Sequence, residues 1–171
     1  MEGLAPPRPL AGDDDCEGFD CGRDSLNQWF RRHAWQNQQS SVSRTSVVCD
    51  TQTGEIAGFI SLSTGQIERV YLPKAVQRNQ PDPLGVILLG QLAVDQHCQG
   101  RGIARSLVRF ALGTAVRISR EIGCFGVITH HLDDDLRAFY RRLGFEELPF
   151  DPRHAMIVRI VDLKNNGFKP L

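Results

Sequence analysis

Hydrophobic and polar positions alternate along this chain with two different periods, and each period predicts a different kind of element. The first helix is expected from Asp24 or Ser25 to about Gln38, with a polar side chain capping its start. Its apolar stripe recurs at helical spacing and consists of Leu26, Trp29, Phe30 and His33. Strands are expected at residues 45–49, 56–62, 67–72, 86–94, 125–129 and 156–161, and further helices at residues 103–120 and 133–143.

The order of these elements predicts an α/β fold with a central twisted mixed sheet flanked by helices. A chain of 171 residues suits a single domain, with its core at about residues 9–163. No apolar run reaches the roughly 18 residues that cross a bilayer. The first residues also lack the basic and then apolar pattern of a secretory signal. We therefore expect a cytoplasmic protein that does not enter a membrane.

The five cysteines are expected to be reduced thiols, because they form an odd number and include no C-x-x-C pair. No metal site is expected either, since zinc requires more tightly clustered ligands. His130 and His131, which precede three consecutive aspartates, are better explained as the end of a strand before the acidic start of a helix.

A glycine-rich segment joins the apolar run that ends at Val94 to the amphipathic stretch that begins at Ile103. The first turn of a helix has N–H groups without partners and the positive end of the helix dipole, and glycines let phosphate oxygens approach the backbone. The segment therefore predicts a binding site for a pyrophosphate. The lysine of a P-loop and the third glycine of a Rossmann loop are both missing, which excludes those two nucleotide sites. A purely structural turn is the alternative.

Residues 99–104 fit a pattern of Gln or Arg, two residues, Gly, one residue, and Gly or Ala. In this pattern, and in the segment A-F-Y-R-R-L-G-F at residues 138–145, the chain resembles the GNAT N-acetyltransferases. The resemblance implies the GNAT acyl-CoA N-acyltransferase fold and acetyl-CoA as the acetyl donor. The residues expected to bind this cofactor are Leu92, Ala93, Val94, Gln99, Gly100, Arg101, Gly102, Ile103, Ala104, Arg105 and Phe139.

Tyr140 is the candidate catalytic residue. Transfer of an acetyl group from a thioester to an amine requires a proton for the departing thiolate, and a buried phenol can supply that proton. Helical spacing alone would explain Tyr140 equally well as a core aromatic residue, so its role as general acid depends on the resemblance. No arrangement typical of a nucleophilic serine is visible, which favours direct attack by the acceptor amine.

A wider set of segments resembles the GNAT toxins of bacterial toxin–antitoxin modules. Such toxins acetylate the α-amino group of aminoacyl-tRNA, which blocks translation, and a small ribbon-helix-helix antitoxin neutralises them. The resemblance therefore implies an aminoacyl-tRNA substrate, a ribbon-helix-helix antitoxin as partner and a homodimer. The segments that carry it are residues 19–22, 26–29, 43–45, 72–73, 78–83, 92–95 and 139–145.

Charge is distributed unevenly, although the formal net charge is +0. Acidic residues dominate the first 25 residues and basic residues dominate residues 26–120, where a basic surface would attract phosphates. The expected tRNA contacts are Arg31, Arg32, Lys74 and Arg78. The alternative explanation is that these basic residues simply lie on solvated faces of helices. Gln91 departs from the toxins, which often carry arginine at this position.

Two other functions agree with the same sequence. One is a GNAT enzyme that acetylates a protein or a small amine. The other is a non-catalytic protein that binds acyl-CoA, because a fold does not fix an activity.

Overall fold

A mixed sheet of seven strands organises the protein, and a computed structural model describes residues 3–168 of it. The strands are β1 (Arg8–Pro9), β2 (Arg44–Cys49), β3 (Ile56–Ile67), β4 (Leu84–Val94), β5 (Gly126–His130), β6 (Glu146–Glu147) and β7 (Ala155–Arg159). They lie in the order β1-β2-β3-β4-β5-β7-β6. β4 and β5 pair in parallel, whereas β5 pairs with β7 in antiparallel fashion. This arrangement confirms the predicted mixed sheet.

Six α-helices accompany these strands in the described chain. They are α1 (Asp24–Trp29), α2 (Trp35–Ser40), α3 (Lys74–Gln77), α4 (Ile103–Ile118), α5 (Asp134–Arg142) and α6 (Ile160–Asn165). A π-helical turn at Phe30–Ala34 joins α1 to α2 without a break. Short 3₁₀ turns occur at Arg69–Tyr71 and Gln96–Cys98. Within residues 3–168, no helix is long and apolar enough to cross a bilayer.

The chain divides into two compact units. The first comprises the described residues to Ser63 together with Gly90–Ala111, and the second comprises Thr64–Leu89 and the described residues from Leu112 onward. The single domain expected from the sequence stays a prediction.

Aromatic rings form the centre of the first unit. The rings of Phe30 and Phe59 are stacked, with centroids 4.1 Å apart and planes 4° apart. Phe19 meets both rings edge-on at 5.1 and 5.3 Å, an arrangement that adds to the free energy gained from burial. All three side chains are almost completely buried. The π turn thus begins at a residue of the aromatic core.

The π turn explains why one predicted core position of the first helix is wrong. A π turn takes more residues per turn than an α turn, because its hydrogen bonds join residues five apart in the chain, so the buried face shifts along the sequence. Ala34 is 0% exposed, whereas His33, which the helical spacing placed on the apolar stripe, lies in solvent. The predicted cap is also wrong, because Arg23 occupies the N-cap position and makes no side-chain hydrogen bond there.

The second unit is built around β5. Residues Ile87–Leu89 of β4 pair with Val127–Thr129, and on the other side Gly126–His130 pair with Ala155–Arg159. β5 therefore lies between two strands, and its residues from Gly126 to Thr129 are buried. A strand with neighbours on both edges gives its side chains fixed positions.

Two predicted strands have different bounds in the structure. The expected strand at residues 67–72 is instead the end of β3 followed by the 3₁₀ turn, in which the Tyr71 amide donates to the carbonyl of Glu68. The expected strand at residues 156–161 ends at Arg159, because α6 begins there. The guanidinium of Arg159 binds the carboxylate of Asp162 at 2.7 and 3.0 Å and holds this first turn in place.

Gly126 provides a test of the packing of β5 against β7. A Cβ atom at this position would lie 2.6 Å from the carbonyl oxygen of Val158, which is closer than real contacts allow. We expect Gly126→Ala to lower the free energy of unfolding by about 1–3 kcal/mol, because the two strands must move apart. Chemical denaturation measures this change.

The matched control for this substitution is Gly123→Ala. A Cβ at Gly123 meets no heavy atom within 4 Å, so its effect should stay within about 0.5 kcal/mol. Equal losses in the two variants would contradict the close approach of β5 and β7.

Candidate active site

The loop predicted to hold a pyrophosphate lies in the first unit, between β4 and α4. Asp95 fixes the end of β4, because its amide donates to the carbonyl of Ala57 at 2.9 Å and its carboxylate accepts from the amide of Asp20 at 3.1 Å. The same carboxylate accepts from the amide of His97 at 2.9 Å and caps the 3₁₀ turn. One side chain thus sets where the strand stops and the loop begins.

Gln99 connects this loop to the strand before it. Its Nε2 donates to the carbonyl of Val94 at 3.2 Å and to that of Cys21 at 3.3 Å. The side chain is therefore used to hold the loop, while its backbone continues toward α4. Leu92, Ala93 and Val94 form the last residues of β4, with Ala93 buried and its two neighbours half-buried.

Gly100 and Gly102 give the loop its path. Their φ angles are +80° and +78°, in the left-handed region that residues with a Cβ adopt at a cost. A Cβ at either position would meet no heavy atom within 4 Å, so the glycines are required by the backbone and not by lack of space. The open space leaves room for a bound group above the loop.

α4 begins at Ile103 and continues for 16 residues, which makes it the longest helix in the described chain. The amides in its first turn, which include those of Ala104 and Arg105, have no helical carbonyl to bind. Ile103 is buried and anchors this turn, whereas the side chain of Arg105 is exposed. Arg101 lies 3.8 Å from the carboxylate of Asp50, so its charge is partly balanced within the protein. The arrangement suits an anion with several oxygens.

Tyr140 lies on α5 in the second unit, and both ends of this helix have the predicted chemistry. The carboxylate of Asp133 accepts from the amide of Leu136 at 2.8 Å and caps the start. Gly144, with φ of +95°, follows the last turn, and the amide of Phe145 returns to the carbonyl of Tyr140 at 3.1 Å. The helix is thereby fixed at nine residues.

The ring of Tyr140 is 4% exposed and lies between two other aromatic rings. Phe139 and Phe145 meet it edge-on, with centroids 5.2 and 5.3 Å away. Burial raises the pKa of Tyr140 above its ordinary value, while a hydrogen bond with Thr129 acts in the opposite direction. The phenol therefore carries its proton at neutral pH and can donate it.

Thr129 is a residue that sequence reasoning missed. It lies on β5, is 2% exposed, and its hydroxyl donates to the carbonyl of Leu89 at 3.3 Å. An interaction between the same side chain and the phenol of Tyr140 lowers the pKa of that phenol. Nothing in the local sequence indicates this role, because it depends on the packing of α5 beside β5.

The four basic residues predicted to contact tRNA are divided between the two units. Arg31 and Arg32 lie in the π turn of the first unit, and Lys74 and Arg78 lie at the two ends of α3 in the second. The guanidinium of Arg31 donates to the carbonyl of Phe19 at 2.8 Å, so part of it serves the fold. All four residues are exposed.

Residues 43–147 match the family model described as the acetyltransferase (GNAT) domain. The chain is also 39% identical over 158 residues to a tRNA-acetylating toxin of Mycobacterium tuberculosis (strain ATCC 25618 / H37Rv), covering 92% of this chain and 94% of that protein. The chain belongs to the GNAT acetyltransferase family. This membership confirms the predicted fold and the predicted class of enzyme, an N-acetyltransferase.

Solved structures of GNAT proteins agree with this assignment. A structure of AtaT complexed with acetyl-methionyl-tRNAfMet has a TM-score of 0.89 and 26% identity, covering 96% of this chain and 99% of that one. A crystal structure of AtaTR bound with acetyl-CoA has a TM-score of 0.83 and 26% identity, covering 98% of this chain and 99% of that one. The GNAT fold therefore extends over nearly the whole chain.

Gly102 allows the predicted role of the loop to be separated from its stability. We expect Gly102→Ala to lower the free energy of unfolding by about 1–2 kcal/mol, because alanine is strained at its φ of +78°. We also expect about tenfold weaker binding of acetyl-CoA, since the shifted amides lose hydrogen bonds to the diphosphate. Isothermal titration calorimetry and denaturation measure the two effects.

Gly54→Ala is the matched control for that experiment. Gly54 has a φ of +76° and equally open surroundings, but it lies in the turn between β2 and β3. This control should lose a similar amount of stability and keep its affinity for acetyl-CoA. If Gly102→Ala bound acetyl-CoA with unchanged affinity, the prediction that this loop binds the cofactor would be contradicted.

Proposed function

We propose that this enzyme transfers the acetyl group of acetyl-CoA to the α-amino group of aminoacyl-tRNA and thereby acts as a toxin that blocks translation. The observation that carries the proposal is the 39% identity, across 92% of this chain, to a protein named tRNA-acetylating toxin. The similarity to AtaT in complex with acetyl-methionyl-tRNAfMet supports the same substrate class. The ligand in that complex is an acetylated aminoacyl-tRNA.

Acetyl-CoA is the donor in this proposal, and the loop before α4 binds its diphosphate. The first-turn amides of α4 would donate to the phosphate oxygens, with Gly100 and Gly102 giving them access. The backbone at the end of β4 would hydrogen-bond the thioester. The residues assigned to the cofactor are Leu92, Ala93, Val94, Gln99, Gly100, Arg101, Gly102, Ile103, Ala104, Arg105 and Phe139.

The proposed transfer is direct. A neutral amine attacks the carbonyl carbon of the thioester, so a C–N bond forms as the C–S bond breaks. The thiolate of coenzyme A leaves and takes the proton of Tyr140, whose buried phenol is protonated at neutral pH. The nitrogen releases its extra proton to water, and the phenolate of Tyr140 is protonated again. No covalent acyl-enzyme is needed.

Exposed basic side chains would bind the phosphates of the tRNA. Arg32, Lys74 and Arg78 are exposed, and each would release counterions when it meets a phosphate. Arg31 would contribute less than a free arginine, because its guanidinium also bonds to Phe19. The proposal also includes a ribbon-helix-helix antitoxin as partner and a homodimer as the oligomeric state. It places the enzyme in the cytoplasm, because charged tRNA is used there.

Transfer of labelled acetyl groups to charged and uncharged tRNA tests this function together with the role of Tyr140. We expect label on charged tRNA only, because the acceptor is an α-amine. Tyr140→Phe should reduce kcat by about 10²–10⁴-fold, the usual contribution of a general acid, without changing acetyl-CoA binding.

Phe145→Leu serves as the control for disturbed packing, because the ring of Phe145 also meets Tyr140 edge-on and Phe145 is not among the residues assigned to the cofactor. It should lose far less activity than Tyr140→Phe. Label on uncharged tRNA would contradict the proposed acceptor, and a fully active Tyr140→Phe enzyme would contradict the proposed acid.

The dependence of kcat on pH tests the contact between Thr129 and Tyr140. The phenol works when protonated, so activity falls as the pH rises through its pKa. The interaction with Thr129 lowers that pKa, so Thr129→Val should move the alkaline fall in kcat to higher pH. Thr129→Ser keeps the hydroxyl and should restore the original profile. A downward movement in Thr129→Val would contradict this assignment.

A further inference from the structure

The second unit contains a cavity that has no role in the reaction described so far. It has a volume of about 290 Å³ and lies among the end of β5, α5 and the loop between β6 and β7. We name it the His131 pocket. Its lining residues are His131, Arg137, Glu147, Leu148, Pro149 and His154.

The His131 pocket adjoins the elements that hold the phenol. His131 lies two residues beyond Thr129, the partner of Tyr140, which is about 7 Å along an extended chain. Arg137 lies three residues before Tyr140 on α5, so both side chains leave the same side of the helix. A group bound in the pocket is therefore close to the proposed proton donor.

The charges of the pocket argue against a free phosphate as its ligand. Arg137 forms an ion pair with Glu147, and Arg141 lies 3.5 Å from the same carboxylate. Arg137 also lies 3.7 Å from Asp134. Positive and negative groups are therefore nearly balanced, whereas a phosphate site needs a clear excess of donors. A neutral ligand with hydrogen-bonding edges fits this balance better.

Flat and apolar groups line the pocket, and an exposed aromatic residue follows one of them in the chain. His131 and His154 line it with imidazole rings, and Pro149 adds an apolar wall. The next residue, Phe150, is a large hydrophobic side chain that is 51% exposed. Aromatic and histidine rings that are exposed beside an arginine are typical of sites that stack an unpaired base.

The loop that carries these rings is ordered before any ligand binds. Asp151 is buried, and its carboxylate accepts from the amide of Arg153 at 3.0 Å and from that of Ala155 at 3.3 Å. His154, which follows, has a φ of +55°. A rigid loop lowers the entropy lost on binding.

We propose that the His131 pocket binds one unpaired nucleobase at the 3′ end of the acceptor tRNA, an inference that rests on the proposed function. The base stacks on the rings of Phe150 and His154, and its polar edge meets the Arg137–Glu147 pair. The pocket has room for one heterocycle, since it is at the small end of the roughly 300–1,000 Å³ of ligand cavities. It is a positioning site, which holds the strand while the amine reacts.

The experiment uses an uncharged acceptor minihelix with the fluorescent base 2-aminopurine placed in turn at each unpaired 3′ position, without acetyl-CoA. Stacking on the full-length enzyme should quench the fluorescence at one of these positions. Phe150→Ala and His154→Asn should weaken quenching and binding about tenfold, because each removes a stacking ring. Asparagine is chosen at residue 154 because it tolerates a positive φ.

Val161→Ala is the matched control, since Val161 is an exposed hydrophobic side chain on α6 of the same unit. It should bind and quench like the unmodified enzyme. For charged tRNA, Phe150→Ala and His154→Asn should raise KM with little change in kcat, and their affinity for acetyl-CoA should not change.

Absence of quenching in the unmodified enzyme, or equal quenching in all four proteins, would overturn the inference. Because the binding assay contains no acetyl donor, its result is independent of the acetylation assay. If the enzyme acetylates charged tRNA but does not quench the fluorescence of 2-aminopurine, only the proposed role of the His131 pocket is refuted. If the enzyme quenches the fluorescence but acetylates no tRNA, the proposed function is refuted.

Discussion

Unpaired amides in the first turn of α4 are the constraint on which the proposed chemistry depends. A helix of 16 residues must leave its first N–H groups without helical partners, and Gly102, which precedes the helix, has no side chain that could accept a hydrogen bond from them. Gly100 and Gly102 hold left-handed backbone angles at the edge of open space. In the proposed complex a diphosphate would complete the hydrogen bonding of this turn, so the binding of the cofactor would also cap the helix. Asp95 and Gln99 keep the turn at the end of β4.

The sequence predicts those elements whose ends are set by interactions between residues close together in the chain. α5 was predictable at both ends, because a capping aspartate and a terminating glycine act on their own neighbours. The path of the first helix was not, because the π turn at Phe30–Ala34 moves its buried face and its cause lies in packing against distant aromatic rings. The 3₁₀ turn at Arg69–Tyr71 was missed for a similar reason. Its Arg69 amide bonds to the carboxylate of Asp82, which is remote in the chain.

The same division applies to the candidate site. The glycines of the loop and the position of Tyr140 follow from short segments of sequence, but Thr129 becomes relevant only when β5 lies beside α5. The basic residues show that a residue identified from the sequence can have a role in the fold that the sequence does not reveal. Arg31 and Arg32 are adjacent and look equivalent in the sequence, yet only Arg31 has a guanidinium bound to the carbonyl of Phe19. The sequence gives the charge of a residue, whereas the fold decides how much of that charge faces outward.

The pKa values of the reacting groups favour direct transfer over a covalent intermediate. An α-amine has an ordinary pKa of about 7.7–8.0, so a useful fraction of it is neutral at neutral pH. Burial raises the pKa of Tyr140, so the acid keeps its proton over the whole range in which the amine loses its own. Burial also raises the pKa of the Cys16 thiol to about 11, which leaves it a poor nucleophile. In the proposed reaction the protein therefore supplies a proton donor at the pH where the acceptor is reactive, which favours attack on the thioester by the amine itself.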